Sequence, residues 1–174
     1  VLAIRDCPKP VIAAVEGAAA GAGFSLVLAC DLVVAARDAR FAMSYVRIGL
    51  SPDGGSSWFL GNRVPYPLAY EWLCTGEPID ATRLHAAGLV NQLAEPGKAL
   101  DVALARAERL ARGPAFALAR IKSLLSDDER AALVHRQQRE RDAFVAALFH
   151  DDAAEGIAAF LEKRAPRFDG SEPQ

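Results

Sequence analysis

Apolar residues follow two rhythms along this chain. In the first half they come in short uninterrupted runs, cut by Gly, Pro, Asp or Ser. In the second half they recur every three or four positions. Continuous short runs bounded by turn residues predict strands buried on both faces, and the 3.6-residue recurrence predicts amphipathic helices. Residues 10–16, PVIAAVE, read as a buried strand ending at Gly17. Residues 22–30 read as a helix apolar on nearly every face, hence buried all round. DLVVAA, 31–36, reads as a second buried strand, and 40–43 extends the sheet. Helices follow over 54–64 and 66–74, and a short one over 80–88 has Asp80 as N-cap and Gly88 just past its end. LVNQL, 89–93, is a further strand.

Beyond this point the pattern is all helical. Leu100, Ala103, Leu104, Ala107, Leu110 and Ala111 share a face, and Gly113-Pro114 stops that helix. A helix over about 116–125 follows. Ser126 with Glu129 is a capping-box pattern that opens a new, long helix towards Phe149. Its middle, RQQRERD (136–142), is too polar for core and reads as a solvated or subunit-facing surface. A last amphipathic helix covers 152–164, and the tail DGSEPQ is expected to be disordered. The fold class is therefore α/β with a parallel or mixed sheet and a helical C-terminal extension. The expected division is 1–96, 97–168 and the tail 169–174.

Composition narrows the function. Twenty basic and 22 acidic residues give a net charge of −2, which advertises neither nucleic acid nor an anionic membrane. No apolar stretch reaches the 18 or so residues that span a bilayer, and no signal peptide is visible. Cys7, Cys30 and Cys74 are odd in number, widely spaced and without metal-ligand spacing. They point to a reducing, cytoplasmic setting. His85, His135 and His150 form no cluster with them and are expected at the surface or at helix ends. The chain starts at Val1 in mid-pattern, so a true N-terminus is expected upstream.

The most unusual stretch is AAAGAGFSLVLACD, 18–31, with two glycines at the entrance of a buried helix. Small residues there leave the first-turn N–H groups uncovered, and an electron-rich atom can rest against them. KPVIAAVEGAAAGAGFSLVLACDLVVA, RIGLSPDGG, LCTGEPIDATRLHAAGLVNQL and EGIAAFLEKRAPRF follow in that order. Together these blocks resemble the enoyl-CoA hydratase/isomerase (crotonase) superfamily. The resemblance covers nearly the whole chain except the family's N-terminal part, which carries strands, much of the coenzyme A site and one of two oxyanion donors. It implies a crotonase-like fold of repeated ββα units. It also implies an acyl-CoA thioester substrate, no cofactor beyond the coenzyme A of that substrate, no metal, and a homotrimer or dimer of trimers built by the C-terminal helices.

The resemblance also implies site residues. The N–H of Ala22, flanked by Gly21 and Gly23, is the expected oxyanion donor. Physics agrees: a thioester oxygen gains charge as its α-carbon loses a proton, and a helix N-terminus is partially positive. The alternative for Gly21 and Gly23 is close helix–sheet packing. Hydratases of the family use two glutamates, at positions that read Ser25 and Tyr45 here. The acid present instead is Asp53, placed like that of ring-epoxide isomerases acting on phenylacetyl-CoA derivatives, of some enoyl-CoA isomerases and of aroyl-CoA dehalogenases. One carboxylate suffices to shuttle a proton. The alternative is an ordinary helix N-cap, since Asp53 follows Pro52 and precedes Gly54-Gly55.

Ser25 is a candidate substrate contact. Tyr45 and Ile48 are expected along the acyl pocket, and Trp58 and Phe59 in core packing. Lys163, with Arg164, matches the family's C-terminal coenzyme A contact or else complements a helix end. The expected function is isomerisation of an unsaturated or ring-epoxide acyl-CoA. The competing readings are a hydratase acting without the two glutamates, and a non-catalytic acyl-CoA binder or assembly subunit.

Overall fold

The computed structural model describes residues 1–168, so the expected disordered tail lies outside the described residues. Two small sheets form the centre. In the first, β1 (Ile12–Val15), β3 (Leu32–Ala36) and β6 (Gln92–Ala94) lie in the order β1-β3-β6, all parallel, with Val15 opposite Ala35 and Ala35 opposite Leu93. In the second, β2 (Ala18–Ala20) pairs parallel with β4 (Arg40–Ala42), and β5 (Ile79–Asp80) joins β4 antiparallel. Residues 40–42 thus belong to a second sheet and do not widen the first. Gly17, at φ 66°, separates β1 from β2, and its carbonyl accepts the Arg40 N–H at 2.7 Å. The left-handed backbone there is cheap only for glycine, and it turns one apolar run into strands of two different sheets.

Each strand pair is followed by helix, which is the expected ββα repetition. β1 and β2 lead to α2 (Ala22–Ala29); β3 and β4 lead through a 3₁₀ turn (Ser44–Ile48) to α3 (Ser56–Arg63). A short α1 (Leu2–Asp6), not expected from the pattern, precedes β1. α4 (Tyr66–Thr75) and α5 (Ala81–Ala86) follow, then β6 and α6 (Ala99–Ala111), which packs on β1, β3 and β6. The carboxylate of Glu16, just past β1, accepts the N–H groups of Gly97 and Ala99 and so fastens the start of α6 to the sheet. The core runs through Phe24, Leu28, Val34, Phe41, Met43, Leu60, Trp72, Ile79 and Leu84. Phe24 and Phe41 touch across the two layers with ring centroids 5.1 Å apart.

Four local expectations need correction. The strand expected at 89–93 begins later, at Gln92. Leu89 and Val90 are buried in the approach, and Asn91 takes the ladder position with its side-chain oxygen, which accepts the Val33 N–H at 2.7 Å. The strand pairing therefore starts from a polar side chain that periodicity does not register. Asp80 is the N-cap residue of α5, as expected, but its side chain makes no capping hydrogen bond; its carboxylate pairs with Arg40 across β4–β5 at 3.1 Å. The two helices expected around Ser126 are one, α7 (Ala115–Leu148), of 34 residues. Ser126 donates back to the Lys122 carbonyl at 2.8 Å, the intrahelical option that lets a serine sit inside a helix. No Gly or Pro interrupts the segment, so nothing ends it.

The fourth correction concerns the polar middle of α7, discussed below. Lys122 anchors the same helix to the N-terminal segment: its ammonium donates to the carbonyls of Ile4 and Lys9 and to Asp31 at 2.7 Å. α8 (Asp151–Leu161) closes the described chain. His150 stands at its N-cap and accepts the Asp152 N–H. Among the described residues no helix is long and apolar enough to cross a membrane, and no three His, Cys, Asp or Glu residues gather as a metal site.

Candidate active site

The glycine turn before α2 is shaped by backbone demands, not by helix–sheet packing. Gly21 sits at φ 51°, ψ −122°, a conformation that side chains strongly disfavour. It fixes the angle at which β2 hands over to α2. A Cβ at Gly23 would meet nothing within 4 Å, so packing does not require glycine there. What glycine leaves is open space over the first turn of α2, and Ala22 and Gly23 are both exposed. No side chain caps this turn, and the Ala22 N–H is not used in any turn or loop hydrogen bond among the described residues. The positive end of α2 is therefore presented outward.

The SPDGG segment comes to the same place. Gly54, at φ 65°, allows the close approach: a Cβ there would stand 2.8 Å from the Cβ of Ser25. Ser25 is 1 % exposed, and its hydroxyl lies 3.1 Å from the Asp53 carbonyl, 3.3 Å from the Gly21 carbonyl and 3.4 Å from the Tyr45 hydroxyl. It has one proton to give, so these are competing partners. Ser25 is a tie between α2 and the loop that carries Asp53.

Asp53 itself is half-buried. Its carbonyl accepts from the Ser56 N–H and hydroxyl, at 3.2 and 2.8 Å. Its carboxylate accepts a hydrogen bond from the Tyr45 hydroxyl through Oδ1. Burial, then this hydrogen bond, holds the Tyr45 hydroxyl well above the usual tyrosine pKa, so it remains a donor. The second carboxylate oxygen has no partner among the described residues. The N-cap alternative for Asp53 fails on geometry. The residue at the cap of α3 is Gly55, and the acid that satisfies the first amides is Glu140, from the middle of α7.

Glu140 is 5 % exposed. Its Oε2 accepts the Gly55 N–H at 2.6 Å, and its Oε1 accepts the Ser57 N–H at 2.9 Å and the Ser57 hydroxyl at 2.6 Å. A buried carboxylate is tolerable because three donors and the positive end of a helix surround it. This is the fourth correction: the polar run 136–142 is not uniformly solvated. Leu133, Gln137, Glu140 and Phe144 fall at helical spacing, and all four are buried or half-buried. Phase with Leu133 and Phe144 was the signal that would have placed Glu140 inward.

Other expected residues stand apart. Ile48 ends the 3₁₀ turn against α8, where a Cβ at Gly156 would lie 2.4 Å from its carbonyl carbon. With Ser44, Arg47 and Phe160 it borders a cleft of about 650 Å³. Two further clefts, of about 330 and 550 Å³, involve Trp58 and Lys122, and none of the three is lined by Ala22, Ser25 or Asp53. Phe59 is core, as expected, and Trp58 is half-buried. Lys163 is exposed just past α8 at φ 54°, with no ion pair among the described residues. Arg164 is engaged by Glu155 and Glu162, both at 2.6 Å. The structure thus joins Gly21, Ser25, Tyr45 and Asp53 by direct contacts, with Ala22 and Gly23 in the first turn of the same helix, and leaves Ile48 and Lys163 at α8.

Comparison with known proteins places the whole chain. A family described as enoyl-CoA hydratase/isomerase matches residues 1–171. The chain is 39 % identical over 167 residues to the 1,2-epoxyphenylacetyl-CoA isomerase of Escherichia coli K12, covering 96 % of this chain and 64 % of that protein. It is also 39 % identical to the 2,3-dehydroadipyl-CoA hydratase of the same organism, over 93 % of this chain and 64 % of that protein. The chain thus spans a little under two thirds of these relatives. Among solved structures, an enoyl-CoA hydratase from Mycobacterium avium subsp. paratuberculosis K-10 superposes with a TM-score of 0.91 at 35 % identity, over 96 % of this chain and 68 % of that one. An enoyl-CoA hydratase from Polaromonas sp. JS666 is 56 % identical, with a TM-score of 0.72 over 95 % of this chain and 64 % of that one. From the glycine turn to the last helix the match is continuous, and the chain belongs to the enoyl-CoA hydratase/isomerase family, with the crotonase fold.

Proposed function

We propose that this protein isomerises an acyl-CoA thioester, an unsaturated or ring-epoxide one, with Asp53 as the single proton-carrying base and the Ala22 N–H as an oxyanion donor. The observation that carries the reading is the state of the Asp53 carboxylate. It caps no helix, one oxygen is held by Tyr45, the other has no partner among the described residues, and the Asp53 backbone is tied through Ser25 to α2. A carboxylate so held can take a proton from one carbon and return it to another. The charge meanwhile resides on the thioester oxygen against the α2 amides. The positions where hydratases of the family carry glutamates hold Ser25 and Tyr45, and neither is a base. Tyr45 keeps its proton and orients the carboxylate; Ser25 ties the two loops.

The substrate enters as its own coenzyme A derivative, with no further cofactor. Lys163 is a candidate for the coenzyme A phosphates, being an exposed cation with no ion pair among the described residues. The chain is proposed to act as a homotrimer or a dimer of trimers, in a cytoplasmic setting and without nucleic acid or membrane partners.

Replacing Asp53 by Asn tests the reading. Conversion of 1,2-epoxyphenylacetyl-CoA and of a 3-enoyl-CoA should fall at least 100-fold, on the scale of general acid–base catalysis. Acyl-CoA affinity, read by calorimetry, should stay within a few-fold. Normal turnover by the Asn variant would remove Asp53 from the chemistry. Several relatives are named hydratases, so water addition to crotonyl-CoA is measured alongside. If that is the faster reaction, the hydratase reading takes precedence. Acyl-CoA binding without either reaction leaves the protein a binder.

A further inference from the structure

We propose that Glu140 is the positioning residue of this site: α7 reaches across with one buried carboxylate and fixes the turn on which Asp53 stands. The proposal rests on the reading of Asp53 as the base. Asp53 is followed by two glycines at φ 65° and 81°. A pair of glycines is the least constrained dipeptide a loop can contain. The Asp53 carboxylate can hold one place only if the peptide beyond those glycines is immobilised.

Glu140 does this from 85 positions away in sequence. It grips the Gly55 amide with one oxygen and the Ser57 amide and hydroxyl with the other. α7 also covers the turn with apolar surface, since a Cβ at Gly55 would stand 3.1 Å from the Leu133 Cδ1. On the near side, Ser56 binds the Asp53 carbonyl through its N–H and hydroxyl. The chain of contacts is therefore continuous: Glu140 holds Gly55 and Ser57, Ser56 holds the Asp53 backbone, and Tyr45 holds its carboxylate.

Both oxygens of Glu140 are acceptors for N–H groups, so glutamine is not equivalent. Its amide nitrogen would face one of the donors that the second oxygen now satisfies. Aspartate keeps the charge but is one methylene short.

The test uses the full chain with E140Q, E140D, S57A and D53N, and reads two independent quantities. The first is amide hydrogen exchange in the segment 53–60, with the β1 and β3 segments as internal controls. The second is the split between kcat and KM on whichever acyl-CoA the unmodified protein converts. E140Q is expected to raise exchange in 53–60 at least tenfold, with the controls unchanged. It is expected to lower kcat 10- to 100-fold, with KM within threefold. E140D should recover part of both. S57A, which removes a single hydroxyl, should give a several-fold loss of kcat with local exchange only, and decides the matter if E140Q does not fold.

Unchanged exchange in 53–60 in a folded E140Q or in S57A, or a loss of activity that follows KM, overturns the role of Glu140. D53N separates the two readings. If D53N turns over normally, Asp53 is not the base, and the exchange result alone decides whether Glu140 fixes the turn.

Discussion

Among the described residues the two oxygens of Asp53 meet different fates, one bound to Tyr45 and one without a partner, and that asymmetry suits the proposed proton carrier. In the proposed reaction the bound oxygen sets direction and the other carries the proton. The proposed oxyanion donor is backbone, so no side-chain deletion can test it. Proline can. Ala22 is the first residue of α2, where the fixed φ of proline suits a helix and its missing N–H costs the helix nothing. Ala22→Pro should leave circular dichroism and melting temperature nearly unchanged while lowering turnover by about 10²–10³, the worth of one oxyanion donor. Turnover within a few-fold of the parent would show that the oxygen rests elsewhere. Much at this scale was legible in the sequence. The glycine turn, the lone acid and the missing glutamates are all identities of residues. The base-or-cap alternative for Asp53 was not decidable there, because the acid that occupies the cap comes from position 140.

At the scale of elements, the C-terminal helices grip the segment 44–57 at two points. α7 does so through Glu140. α8 does so through glycine, since Gly156 lies against the Ile48 backbone and Gly49 against Asp152. A methyl at Gly156 has no room to enter. Gly156→Ala should destabilise the fold by about 1–3 kcal/mol, the range for overpacking, and the melting temperature reads it directly. An unaltered melting temperature would mean that α8 can slide.

The far end of α8 is fastened by charge. Arg164 binds Glu155, and the Arg167 N–H adds to it, which pulls the Glu155 carboxyl down to about 2. A lowered acid contributes stability above its unfolded pKa and loses it as pH falls through the folded value. The fastening of 162–167 should therefore hold at neutral pH and release progressively between about pH 4.5 and 2. The carboxyl carbon of Glu155, followed by NMR, should titrate with a midpoint near 2, and a midpoint above 4 contradicts the pairing. Helix periodicity found α6 and α8 readily. It split α7 at Ser126 because a capping pattern and an interior serine look alike until the back-bond to Lys122 is known.

For the whole molecule, the outstanding feature is apolar surface on the C-terminal helices. Phe116 is 79 % exposed, Leu124 82 %, Phe149 84 % and Leu161 74 %. Large side chains left in water on neighbouring helices mark a surface that associates, which supports the proposed trimer. Sedimentation velocity should give a mass three or six times that of the protomer. Phe116→Glu with Leu124→Glu should lower it to one protomer without loss of helix content. A monomeric parent protein would sink the oligomer proposal.

By itself the sequence determined what is local. Runs of apolar residues set strands and helices, glycines set the turn before α2, and residue identity set which acids and hydroxyls exist to do chemistry. Each depends on neighbours a few positions apart, so each leaves a readable pattern. Only the tertiary structure decided how those parts are used. It separated β2 and β4 into a second sheet, gave the cap of α3 to a glutamate 85 positions away, and left an Asp53 oxygen without a partner among the described residues. Such outcomes depend on which distant donor reaches a given acceptor first. Hydrogen-bond satisfaction is settled in three dimensions, and one-dimensional order does not encode it residue by residue.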